Sequence, residues 1–89
     1  MMDLFEIRKN IDRLDNKIVK MLDQRMELTL RTTRFKKKIQ DKKREKEIID
    51  RAANIPVRFM SRDFIEKFFI SIMAESRRLQ ALGPKLSSD

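Results

Sequence analysis

The chain has 89 residues, 22 Lys and Arg against 14 Asp and Glu, a net charge of +8, and neither Cys nor His. That length suits one domain with a limited core. The absence of Cys excludes disulfides and thiolate metal sites, and the absence of His removes the commonest general base and metal ligand. A basic balance favours anionic partners, from nucleic acid and anionic lipid to small polyanions.

One Gly and two Pro in the whole chain argue for a few long helices. The first helix is predicted from Asp3 to about Ile39, a stretch without Gly or Pro. Leu4, Ile7, Ile11, Leu14, Ile18, Met21, Leu28, Phe35 and Ile39 recur at alternating three- and four-residue steps, a heptad seam. Arg25 and Thr32 interrupt it. Such a helix would be about 54 Å long, too long for a compact monomer of this size, so it reads as packed along a second copy of the chain. The N-terminus has no basic leader and no long apolar stretch, and no apolar run approaches a bilayer's width. A cytoplasmic protein without a membrane association is expected.

Asp41 is a candidate N-cap for a second helix, Lys42 to Ala53, whose apolar side is Ile48, Ile49 and Ala52. No Gly or Pro enforces a turn at residues 40–43, so one uninterrupted helix is the alternative there. Seven of the eleven residues from Lys36 to Lys46 are Lys or Arg, which on charge alone describes a solvated helical surface. Asn54-Ile55-Pro56 ends the second helix. Ser61 or Asp63 can cap a third, with the stripe Ile65, Phe68, Phe69, Ile72, Met73, Ser76, Leu79 and Gln80, and Gly83-Pro84 is expected to stop it. Residues 1–82 form the predicted helical domain and 83–89 a polar, disordered tail.

Three polar features stand where apolar residues are expected. Arg25 occupies a seam position, which is costly unless it snorkels or finds a partner. On a continuous α-helix, Lys36 lies about 20° from Arg25, while Arg8 lies about 100° away. Arg8 therefore does not readily join them from the same helix, but could do so from an antiparallel partner. Ser76 and Gln80 continue the apolar stripe at an i, i+4 spacing, unless they are ordinary polar residues near a helix end. Together these groups suit a small dianion, with guanidinium groups forking onto carboxylates. With no evident nucleophile or base, the chemistry left is positioning and electrostatic stabilisation, as in a unimolecular rearrangement.

Leu4-Phe5-Glu6-Ile7-Arg8-Lys9-Asn10-Ile11-Asp12-Arg13-Leu14-Asp15 and Leu22-Asp23-Gln24-Arg25 resemble the first helix of the all-helical bacterial chorismate mutases. Asp41-x-x-Arg44-Glu45 resembles that family's second-helix motif, and Ser76-x-x-x-Gln80 its third. The resemblance spans roughly residues 4 to 80. It implies an all-α, three-helix chain in an intertwined homodimer that converts chorismate to prephenate without metal or cofactor, in phenylalanine and tyrosine biosynthesis. It implies that Arg8 reaches the neighbouring subunit's site and grips the enolpyruvyl carboxylate, and that Arg25 binds a carboxylate within its own subunit. Lys36 and Gln80 would meet the ether oxygen. Glu45 would hold the ring hydroxyl beside the Asp41 backbone, Arg44 would orient that cluster, and Ser76 would lie near the ring carboxylate. A further aromatic-biosynthesis enzyme is a candidate partner. The connection from Lys36 to Asp41 is about one helical turn shorter than in the better-known bacterial members.

Other readings are an isochorismate-pyruvate lyase of the same fold, a ligand-binding or regulatory module, and a basic helical nucleic-acid binder using Lys36 to Lys46 on phosphates. Glu45 and Ser76 fit the mutase pattern better than the lyase, and no helix-turn-helix or basic-zipper pattern is present.

Overall fold

A computed structural model of the chain describes residues 2–35 and 41–86. They form α1 (Leu4–Arg31), a 3₁₀ turn (Thr32–Arg34), α2 (Lys42–Ala53) and α3 (Arg62–Leu86). Among the described residues there is no strand, and no helix is long and apolar enough to cross a membrane.

Each helix starts where a short polar side chain can take up a free backbone N–H. Asp3 accepts from Glu6 N at 2.8 Å, and Asp41 accepts from Arg44 N at 3.0 Å. Ser61, rather than Asp63, caps α3, accepting from Phe64 N at 3.1 Å. Asp63 instead pairs with Lys67. The capped, extended Asp41 begins a new helix, so the chain is not one uninterrupted helix through this region.

The first helix ends earlier than its periodicity predicts. Thr32 and Thr33 donate their hydroxyls to the carbonyls of Thr29 and Leu30, at 2.6 and 2.7 Å. These local bonds compete with the α-helical pattern, and the backbone tightens to 3₁₀ through Arg34. The 28 residues of α1 span about 42 Å rather than 54 Å. The 20° relation between Arg25 and Lys36 holds only on an unbroken α-helix, so the turn removes its basis. Lys36 and the segment up to Gln40 lie outside the described residues.

The third helix does not stop at Gly83-Pro84 but continues to Leu86. Gly83 has a different task. A Cβ there would meet Thr33 Cγ2 at 2.8 Å, so the glycine lets α3 approach the 3₁₀ turn. Pro84 has no backbone N–H to offer the Gln80 carbonyl, a loss of one bond next to the last turn, whose own carbonyls have no intrahelical partner in any case. The expected tail beyond Leu86 lies outside the described residues.

Contacts set the topology. Arg25 meets Ser76, Thr32 meets Gln80 and Thr33 meets Gly83, so α3 runs parallel to α1. Glu45 meets Arg77 while Ile48 packs with Ile72 and Met73, so α2 runs antiparallel to α3. The small core is Ile48, Ile72 and Met73, flanked by Leu22, Met26, Ile49 and Phe69. Buried Ala52 and Ala53 belong to the same α2 face.

The offset of about 50 residues between α1 and α3 places Arg62 beside the segment around residue 12. Leu4 to Ile11 therefore project past the rest of the chain. No residue of α1 is buried, and Leu4, Ile11, Leu14, Ile18 and Met21 are all half or more exposed. The described chain measures 54 × 29 × 15 Å, and its thinnest dimension is little more than one helix diameter. Its radius of gyration is 16.2 Å, against about 12 Å for a compact chain of this length. It is one layer of helices with an apolar edge.

Candidate active site

Among the described residues no Cα of α1 comes within 8 Å of one in α2; α3 holds both. The gap is a cavity of about 150 Å³ lined by residues of α1, the 3₁₀ turn, α2 and α3. Six sequence-predicted residues line it: Arg25, Asp41, Arg44, Glu45, Ser76 and Gln80.

Ser76 and Gln80 are both 7% exposed. They face inward and are not ordinary polar residues at a fraying helix end. Ser76 Oγ donates to the Ile72 carbonyl at 2.8 Å and accepts from Arg25 Nη1 at 3.2 Å. Gln80 Nε2 donates to Thr32 Oγ1 at 3.0 Å, and that hydroxyl in turn donates to the Thr29 carbonyl. The relay fixes which end of the amide carries the donors, leaving a second N–H for another acceptor. Thr29 and Thr32 line the cavity, and the sequence reading did not single them out as site residues.

Arg25 is half-buried, and its partner is a neutral hydroxyl. Burial, then the charges of Arg44 and Arg51, push its pKa below the usual guanidinium value. Loss of solvation and repulsion between like charges both favour an anion here. Among the described residues, the Arg44 guanidinium has only a loose contact with Glu47, at 3.9 Å. Asp41 spends a carboxylate oxygen on the α2 N-terminus, which fixes Arg44 and Glu45 in the first turn behind it. Glu45 accepts from Arg77 Nη1 at 2.6 Å, across from α2 to α3. Arg77 is the lining cation that the sequence reading missed.

The arrangement presents cations, an amide and one ion-paired carboxylate around an open space. It can bind a small anion and direct donors at it. Among the described residues no three Asp or Glu side chains cluster as a metal site.

A family model described as chorismate mutase type II matches residues 7–81, spanning all three helices. The chain belongs to the chorismate mutase type II family. No curated protein and no solved structure matches it.

Of the expected site residues of this chorismate mutase family member, one is not described and one stands apart from the cavity. Lys36 lies outside the described residues. Arg8 is exposed in the projecting part of α1, seventeen residues before Arg25. That is about 25 Å along the helix, beyond the reach of one arginine side chain. The structure does not bring Arg8 to the cavity of its own chain.

Proposed function

We propose that the protein is a chorismate mutase, converting chorismate to prephenate for phenylalanine and tyrosine synthesis in the cytoplasm. The observation that carries this reading is the cavity itself. Arg25, Arg44, Glu45, Ser76 and Gln80 converge on one space in a chain of this family.

The chemistry follows from those groups. Chorismate is a dianion, and Arg25 can exchange its neutral hydroxyl partner for a carboxylate, a stronger charge-assisted bond. Glu45 accepts from the ring hydroxyl. Held this way, the substrate adopts the folded, diaxial conformer in which the carbons to be joined lie close. As the ether C–O bond breaks and the new C–C bond forms, negative charge gathers on the ether oxygen. The free N–H of Gln80 meets that charge without reorganising, and the ammonium of Lys36 would add its own positive charge. No proton is transferred and no covalent adduct forms, which a chain without His or Cys can accomplish.

The working unit we infer is a homodimer. A single layer of helices with an apolar edge calls for a second layer. An antiparallel copy along the α1 seam covers that edge and carries Arg8 of the partner subunit towards each cavity.

The test is direct. Purified protein incubated with chorismate should yield prephenate, at the same rate with EDTA. Pyruvate with a hydroxybenzoate, or no turnover by folded protein, refutes the reading.

A further inference from the structure

We propose that Arg77 is a positioning residue that holds Glu45 in place and cancels its charge, without itself gripping the substrate. The assignment rests on the mutase reading above.

Three observations carry it. The first is the kind of ion pair. Arg31–Glu27, Lys46–Asp50, Arg62–Glu66, Lys67–Asp63 and Arg78–Glu75 each lie within one helix, three or four residues apart, with exposed side chains. Pairs of that type contribute little in water. Arg77–Glu45 instead joins α3 to α2, at 2.6 Å, with side-chain exposures of 34% and 19%. A shorter, better-shielded pair between two helices fixes both side chains more firmly.

The second is how the cavity's cations are committed. Among the described residues, Arg25 holds only a hydroxyl, and Arg44 has a loose contact at 3.9 Å. Both can turn to a ligand carboxylate at small cost. Arg77 is already engaged by a carboxylate through Nη1, so turning its guanidinium fork onto a substrate carboxylate would weaken its hold on Glu45.

The third is electrostatic. Glu45 is a carboxylate lining a cavity meant for a dianion. Unpaired, it would repel the ligand it has to orient. Paired with Arg77, it can accept from the ring hydroxyl while the repulsion is offset. One oxygen, Oε1, takes the Arg77 contact, and the other remains for the ligand.

The experiment measures kcat/KM on chorismate for wild type, Arg77→Met, Arg77→Lys, Glu45→Gln and the double variant Arg77→Met/Glu45→Gln. Folding and oligomeric state are checked for each. Arg77→Met should lose on the order of tenfold to a hundredfold, as expected when a substrate-orienting group is displaced. Arg77→Lys should recover most of that, because a single N–O contact needs a cation and not the guanidinium fork. In the Glu45→Gln background, Arg77→Met should change kcat/KM by less than about twofold, since its target is already neutral. If Arg77→Met unfolds the protein, Arg77→Lys carries the same comparison, and whatever it costs should vanish in the Glu45→Gln background. Equal losses in both backgrounds, or no loss at all, overturn the assignment while leaving a mutase. Wild-type protein with no turnover of chorismate overturns the mutase reading and this assignment with it.

Discussion

Gly83→Ala tests the packing that holds the site together, because two effects of opposite sign compete there. In an ordinary helix the change gains about 1 kcal/mol from propensity. Here the new Cβ would sit 2.8 Å from Thr33 Cγ2, well inside the optimum separation of about 3.5–4.0 Å. Thr33 cannot simply turn away, because its hydroxyl is bonded to the Leu30 carbonyl at 2.7 Å. Overpacking of this kind costs about 1–3 kcal/mol. The net expectation is a loss of about 0–2 kcal/mol, at about 4–8 °C in Tm per kcal/mol for a chain this size. Thr33→Ser removes the offending methyl but keeps the hydroxyl, and the nearest remaining atoms stand at 3.4 Å. In that background Gly83→Ala should be neutral or stabilising. Activity should follow, since Gln80 and Thr32 are one helical turn and one residue from the clash, and a small shift lengthens their 3.0 Å bond. Thermal unfolding by circular dichroism, at one fixed protein concentration because subunit association would shift Tm, reads out stability. If Gly83→Ala stabilises the wild type, or has the same effect with Ser at position 33, the close approach is not what Gly83 is there for.

Two further predictions concern the site. Gln80→Glu should be poor near pH 7.5, by on the order of a hundredfold, and recover substantially near pH 5. An ionised carboxylate cannot donate and repels the ether oxygen, whereas a protonated one donates much as the amide does; burial raises the new group's pKa and eases that recovery. A flat kcat/KM profile at the wild-type level would mean that Gln80 does not face the breaking bond. Arg8→Ala and Arg25→Ala should each be nearly inactive alone. Unfolded and refolded together, they should regain about a quarter of wild-type activity, because half the dimers are mixed and each mixed dimer has one intact site. Mixed dimers as inactive as their parents would place Arg8 in its own chain's chemistry.

The parts of the fold legible in the sequence are those written in local chemistry. The second helix, Lys42–Ala53, was readable at both ends, because Asp41 offers a cap and Asn54-Ile55-Pro56 a stop. The end of α1 was not, since apolar periodicity carries on through Phe35 while the hydroxyl bonds of Thr32 and Thr33 change the pitch beneath it. Gly83 beside Pro84 looks like a terminator in sequence, and only the position of Thr33, fifty residues away, reveals a close approach instead. In the site, Ser76 and Gln80 stood out as polar residues on an apolar stripe, and Arg25 as a charge on a seam. Arg77 did not. In a chain with 22 Lys and Arg, a basic residue next to the stripe carries little information. Its one signal was the antiparallel pairing of α2 with α3, which brings it to Glu45.

The hydrogen bonds of the free chain also say which parts of the site must move. Burying Ser76 and Gln80 is costly without hydrogen-bond partners, and here each has one that also orients it: the Ile72 carbonyl for the first, the Thr32–Thr29 relay for the second, which leaves one Gln80 N–H over. Glu45 is fixed by Arg77, and Asp41 by the α2 N-terminus. These groups are oriented before any ligand arrives, which is the condition under which dipoles stabilise a transition state most. Arg25 is the exception. Its partner is neutral, its surroundings are cationic, and its burial is partial. Every influence on it favours exchanging Ser76 for a carboxylate. On the mutase reading, ligand binding is then Arg25 exchanging its partner and Arg44 leaving its loose contact with Glu47, within an otherwise oriented cavity whose remaining wall, bearing Arg8, would come from a second subunit.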